Sequence, residues 1–127
     1  MLDFGALVTV TAPKIAQKIR DILDRVVWNP EPYSGIRGEY ALVIAATDDR
    51  NVNRQVGEDA KKKRIPVSVA DSREESTFWF PAIARGGGVV CGIVSEEGNH
   101  AAVKKAAEQI RKKLKTLESE KERKSNE

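Results

Sequence analysis

"ALVIAATDDRNVNRQV", residues 41–56, carries the reading of the fold. Apolar and small residues run from Ala41 to Ala46, and Thr47, Asp48 and Asp49 follow. A short apolar run without alternation reads as a strand buried on both faces of a parallel sheet. Asp48 and Asp49 are both good N-cap types, so a helix is predicted over roughly 50–63. Its end carries Lys61, Lys62, Lys63 and Arg64, which complement the negative end of a helix dipole.

The pattern repeats on either side. Residues 6–12, "ALVTVTA", read as a second buried strand. In "KIAQKIRDILDRV", residues 14–26, the apolar positions 15, 16, 19, 22, 23 and 26 have helical spacing. Pro30 and Pro32 prevent continuation of that helix, and Val27-Trp28 reads as a short strand. "IPVSVAD", residues 65–71, is a third strand. Strands alternating with helices predict an α/β fold with a parallel sheet. The style then changes. "STFWFPAIARGGGVVCGIVS", residues 76–95, has two apolar segments joined by Arg85 and three glycines, the pattern of an antiparallel hairpin. A last helix is predicted over about 100–120, with Val103, Ala107, Ile110, Leu114 and Leu117 at seam-like spacing. That seam is long enough to dock on a body or a twin subunit. The expected organisation is a partial nucleotide-binding domain over 1–72, a hairpin-plus-helix region over 73–117, and a charged, frayed tail over 118–127.

The 127 residues carry 22 basic and 19 acidic side chains, a formal excess of +3. That mild excess suits an acidic ligand and does not by itself indicate nucleic acid. The "KKKR" run has no interleaved aromatic, and the last helix carries Glu108, Glu118, Glu120 and Glu122 among its lysines, so no nucleic-acid partner is expected. One cysteine, Cys91, excludes an intramolecular disulfide framework and fits a reducing cytosol. No apolar run approaches the ~20 residues that span a bilayer, and no signal peptide is read at the N-terminus; the expected location is cytoplasmic. No Cys/His spacing suggests a metal site.

Taken in order, "VTVTAP", "LVIAATDDRNVNRQV" and "RIPVSVADSREESTFWFPAIARGGGVVCGIVS" resemble the precorrin-2 dehydrogenase and sirohydrochlorin ferrochelatase family, the N-terminal module of sirohaem synthase. The likeness covers residues 1 to about 115. It implies a truncated Rossmann-like sheet, NAD as hydride acceptor, and a homodimer formed through the hairpin and final helix. It implies oxidation of precorrin-2 to sirohydrochlorin and, in bifunctional members, Fe²⁺ insertion.

Three departures qualify that implication. The family begins with a strand, a glycine-rich turn and a helix with an Arg-Lys pair, and "MLDFGA" matches only the end of that helix. The expectation is a fragment, a misread start or a shortened relative that has lost hydride transfer. Glycines in that turn let backbone N–H groups approach the pyrophosphate. Without them NAD loses several charge-assisted hydrogen bonds worth about 1.5–3 kcal/mol each. The family's substrate loop is replaced by "SEEGNHA", where Glu96 and Glu97 oppose a polycarboxylate substrate. The C-terminal helical extension is mostly absent.

Asp71 closes the third strand, at the sheet edge where open α/β folds bind ligands, and it matches the family's catalytic aspartate. A carboxylate there could act as general base; the alternative is a turn-bracing or capping residue ahead of Ser72. Thr11, Ala46, Thr47 and Asp48 stand at strand ends as cofactor-contact candidates, with helix capping the alternative for Asp48. No acidic residue ends the first strand to hold a ribose hydroxyl. Ser76, Thr77, Arg85 and Ser95 are the tetrapyrrole-side candidates. His100 reads either as a helix-start residue or as a ligand. A non-catalytic dimeric Rossmann remnant, binding a tetrapyrrole or a protein partner, is the competing function.

Overall fold

The computed structural model describes residues 1–126, which divide into two compact units, the first Met1–Thr77 and the second from Phe78 onward. In the first, a one-turn 3-10 helix at Leu2–Phe4 precedes β1 (Val8–Thr11), α1 (Gln17–Arg20), β2 (Val26–Asn29), β3 (Val43–Ala45), α2 (Arg50–Lys62) and β4 (Val67–Val69). β1 pairs in parallel with β2, with Val8 opposite Val26 and Thr11 opposite Asn29. β3 pairs in parallel with β4, with Val43 opposite Val67 and Ala45 opposite Val69. The fold is α/β with parallel pairing, but the expected single sheet is realised as two parallel pairs.

The segment predicted as a helix from 14 to 26 is mostly something else. Regular α-helix covers Gln17–Arg20, and residues 21–25 form turns. The apolar spacing there was ambiguous because Val26 and Val27 are β-branched residues recruited into β2 by pairing with Val8 and Thr9. A tertiary ladder outweighs a local helical preference.

α2 follows its prediction closely. Its N-cap is Asp49, not Asp48: the Asp49 carboxylate accepts from the N–H groups of Asn51 and Val52. The helix lays Val56 and Ala60 on the β3–β4 pair, where Ala45, Val67 and Val69 complete the buried core. Tyr33, Ile36, Val43, Val52 and Ile65 pack around it. The Tyr33 hydroxyl donates to Asp59 at 2.8 Å and so pins the 30–41 connection to α2.

The outer edge of β4 is closed by side chains. Val67 N–H donates to Thr77 Oγ1 at 2.8 Å, and Val69 N–H donates to Ser76 Oγ at 2.9 Å. Thr77 N–H returns to the Val67 carbonyl at 2.7 Å. These bonds tie residues 76 and 77 to the first unit, which runs to Thr77.

In the second unit, β5 (Ala82–Gly86) and β6 (Val89–Ile93) form an antiparallel hairpin. Gly87 and Gly88 make its two-residue turn with φ of 58° and 79°. Both central residues of such a turn need positive φ, which is why consecutive glycines stand there. α3 runs from His100 to Ser125 and buries Ala107 and Leu114. It continues past the predicted end near 120 because Glu, Lys and Arg are all strong helix formers. No helix among the described residues is long and apolar enough to cross a membrane.

Candidate functional site

The carboxyl ends of β3 and β4 meet at a buried asparagine. Asn53, on α2, is 1% exposed and is the buried polar residue of the described core. Its Oδ1 accepts from the Thr47 N–H at 2.9 Å and from the Thr47 hydroxyl at 2.7 Å. Its Nδ2 donates to the Thr47 carbonyl at 3.0 Å and to Asp71 Oδ2 at 3.0 Å. Both donors and both acceptor positions of the amide are therefore used. One side chain fixes the chain leaving β3 and the carboxylate following β4. Sequence reasoning passed over Asn53. The signal was its place with Val56, Gly57 and Ala60 on one i, i+3, i+4, i+7 stripe of α2.

Asp71 has a second partner. Arg50 Nη1 donates to Asp71 Oδ1 at 3.0 Å, and the same guanidinium pairs with Glu75 through Nη2. Arg54 stands 3.8 Å from Glu75. The second Glu75 oxygen is buried without a hydrogen-bond partner. The Asn53 hydrogen bond, then the charge of Arg50, hold the Asp71 carboxyl below its ordinary value against the opposing effect of desolvation. Asp71 is thus ionised at neutral pH, oriented, and partly engaged.

The other candidates fall into separate places. Thr11 and Thr47 line one cleft of about 260 Å³, together with Asn29, Glu31 and Arg37. Ala46 and Asp48 are exposed on the turn between β3 and α2. Ser76 and Thr77 spend their hydroxyls on the β4 edge. Arg85, in β5, and Ser95 belong to the second unit, where Ser95 Oγ accepts from the N–H groups of Glu97 and Asn99. His100 begins α3 behind the N-cap Asn99.

The residues present do not fit a dinucleotide's pyrophosphate. Such a group needs free N–H donors at a helix start. At α2 those donors face the Asp49 carboxylate, and the β1 and β3 ends read Thr-Ala-Pro and Ala-Ala-Thr, with no glycine. Thr11, Asn29 and Glu31 are suited to hydroxyl groups such as those of a ribose, by the chemistry of their donors and acceptors.

The ionisations set a pH dependence. Asp59 is also lowered, first by the Tyr33 hydrogen bond, and Tyr33 is raised, first by burial. Lowered carboxyl groups contribute stability above their unfolded pKa, near 4, and lose it as pH falls through the lower folded value. A raised phenol contributes below its unfolded pKa, near 10, and loses it above. Urea midpoints are therefore expected to be flat from about pH 5 to 9 and to fall on both sides. In Asn53→Ala, the Asp71 carboxyl carbon should titrate closer to its ordinary value by NMR.

Comparison with known proteins follows the same outline. Residues 1–82 match the sequence profile of a family described as "Putative NAD(P)-binding". The chain is 44% identical over 117 residues to the "Probable multifunctional siroheme biosynthesis protein HemA" of Ruminiclostridium josui, covering 88% of this chain and 22% of that protein. It is 37% identical over 99 residues to the "Siroheme synthase" of Psychrobacter sp. (strain PRwf-1), covering 72% and 19%. It is 34% identical over 120 residues to that of Pseudomonas fluorescens (strain SBW25), covering 91% and 25%. The chain thus spans a quarter or less of the curated relatives it matches. A solved structure titled "SirC, precorrin-2 dehydrogenase" superposes with a TM-score of 0.65 at 21% identity, over 88% of this chain and 56% of that one.

Proposed function

The chain belongs to this NAD(P)-binding family, in the form of the N-terminal module of sirohaem synthases, and from that premise we propose that it serves the oxidation of precorrin-2 to sirohydrochlorin. One observation carries the reading. A carboxylate, Asp71, stands at the carboxyl end of β4 and is oriented by the buried Asn53 that also fixes the end of β3. Open α/β sheets place their reacting groups at that edge.

Removing a hydride from precorrin-2 also releases a proton, and Fe²⁺ insertion displaces two pyrrole protons. Asp71 is the acceptor for these protons in this reading. At rest its low pKa makes it a weak base. An acidic side chain of the tetrapyrrole that draws Arg50 away from Oδ1 removes one of the causes of that low pKa, so substrate binding strengthens the base. The hydride acceptor would be a nicotinamide, but its pyrophosphate finds no seat among the described residues.

That mismatch favours a second reading, a non-catalytic dimeric relative. Trp79, Phe80, Val90 and Val94 are about half exposed or more, an apolar set suited to a twin subunit. Two measurements separate the readings. Under the first, Asp71→Ala abolishes turnover of precorrin-2 or of the metal-insertion reaction. Equal turnover with and without the Asp71 carboxylate removes it from the chemistry. Tight NAD binding by calorimetry would remove the second reading.

A further inference from the structure

Arg50 opens α2, where the positive end of the helix dipole opposes a cation. Two carboxylates offset that placement. Arg50 Nη1 donates to Asp71 Oδ1 at 3.0 Å, and Nη2 pairs with Glu75 Oε1. A guanidinium can give a single carboxylate two parallel bonds. Here its nitrogens are divided between two carboxylates, so Asp71 receives one bond. Glu75 stands on the turn that follows Asp71, and two serines shape that turn. Ser72 Oγ accepts from the Glu75 N–H at 3.4 Å, and Ser76 Oγ donates to the Ser72 carbonyl at 2.8 Å. Ser76 Oγ also accepts from the N–H of Val69, the last residue of β4, which fastens the turn to the strand. The Glu75 side chain is 29% exposed, and its Oε2 is buried without a hydrogen-bond partner among the described residues. A buried, unpaired carboxylate oxygen is destabilising, so its own bonding does not explain Glu75. What Glu75 touches are two cations one helical turn apart: Arg50, and Arg54 Nε at 3.8 Å.

We propose that Glu75 is a positioning residue for Asp71: it holds the Arg50 guanidinium between two carboxylates, so that Asp71 keeps one bond to Arg50 rather than the full fork. Glu75 acts through Arg50, and its part in the chemistry rests on the reading of Asp71 as proton acceptor. With Glu75 made neutral, the whole fork turns to Asp71, and a nearby negative charge is lost as well. Both changes favour the ionised form of Asp71 and make it a poorer base. With Arg50 made neutral, the effect reverses. The elements around Asp71 carry other charges: Arg54 on α2, Asp48 and Asp49 on the turn before it, and Arg73 and Glu74 on its own loop. Asp49 is engaged with the first N–H groups of α2. These groups stay the same when Arg50 or Glu75 is changed, so a shift at Asp71 reports on that pair.

The test follows the Asp71 carboxyl carbon by NMR titration of the full chain. In Glu75→Gln it should titrate lower than in wild type, and in Arg50→Gln higher. When Glu75→Gln is added to Arg50→Gln, most of its shift should vanish, as expected of two groups in one network. Glu75→Asp keeps the charge but draws the carboxylate back by one methylene. It should shift Asp71 in the same direction as Glu75→Gln and by less, which keeps the test valid if Glu75→Gln does not fold. An unmoved or raised Asp71 titration in the Glu75 variants would overturn the proposal. So would a shift of undiminished size in the absence of the Arg50 charge, since Glu75 would then act on Asp71 directly. The second arm is turnover of precorrin-2. The acidic limb of the kcat/KM profile should move to lower pH in Glu75→Gln, in step with the NMR titration. An NMR shift with an unmoved limb would support the link from Glu75 through Arg50 and remove Asp71 as the proton acceptor.

Discussion

Asn53→Leu is expected to lower the thermal midpoint of the first unit by roughly 10–15 °C, from a loss of about 2–3 kcal/mol. Leucine has nearly the right volume for the site, so the loss is polar rather than steric. The amide makes four hydrogen bonds, three of them to Thr47 and one to Asp71. Thr47 is exposed enough for water to replace part of what it loses, which keeps the estimate below the sum of four unsatisfied groups. Asn53→Asp makes the sharper test. It retains the acceptor for Thr47 but turns a carboxylate toward Asp71 and the Thr47 carbonyl. At neutral pH it should be less stable than Asn53→Leu. As pH falls and the new carboxyl protonates, it regains a donor, so its deficit relative to wild type should shrink. Calorimetric scans at pH 7 and pH 4 decide the matter. If Asn53→Asp loses no more than Asn53→Leu at pH 7, the Asn53–Asp71 bond is not a determinant of this unit.

The same residue shows where sequence reading reaches its limit. β3, α2 and β4 were legible because their signals are local: an apolar run, an Asp cap at the start of a helix, a second apolar run ending on Asp71. The hairpin was legible because its turn needs positive φ at Gly87 and Gly88. The β1–β2 pair was half legible, since the spacing of residues 15 to 26 serves a turn and a strand as well as a helix. The ends of strands identified Thr47 and Asp71 as site candidates, whereas a polar residue inside a helix is ordinarily assigned to solvent, and Asn53 was missed for that reason. Arg50 and Glu75 meet across 25 residues of chain, and no local pattern announces that pairing. Ser76 and Thr77 have the hydroxyls a ligand would want, yet the unsatisfied N–H groups of Val67 and Val69 claim them first. A buried edge must be satisfied before a side chain is free to bind anything.

Gly86→Ala is expected to lift α3 off its hairpin, and Gly86→Val to do so more completely. A Cβ at position 86 would lie 2.7 Å from the Leu114 Cβ and 3.2 Å from its carbonyl carbon. Both belong to the helix backbone or its first side-chain atom, so no rotamer change relieves the contact. Leu114 is 6% exposed, and its burial is worth about 1.5–3 kcal/mol. Overpacking adds roughly 1–3 kcal/mol when the surroundings cannot yield. Polar ties flank it on the same face of the helix. Arg111 Nη2 donates to the Ile83 carbonyl at 2.7 Å, and Gly87 N–H donates to Glu118 Oε1 at 2.8 Å. Moving the helix enough to clear a methyl group strains both. Hydrogen exchange should therefore show α3 losing protection around residues 107–118 in Gly86→Ala. Gly88→Ala is the control, because Gly88 has a positive φ but no atom within 4 Å of the new Cβ. It should cost only the backbone penalty of about 1–2 kcal/mol and leave α3 protected. Equal loss of helix protection in the two variants would mean that Gly86 is not where the helix is seated.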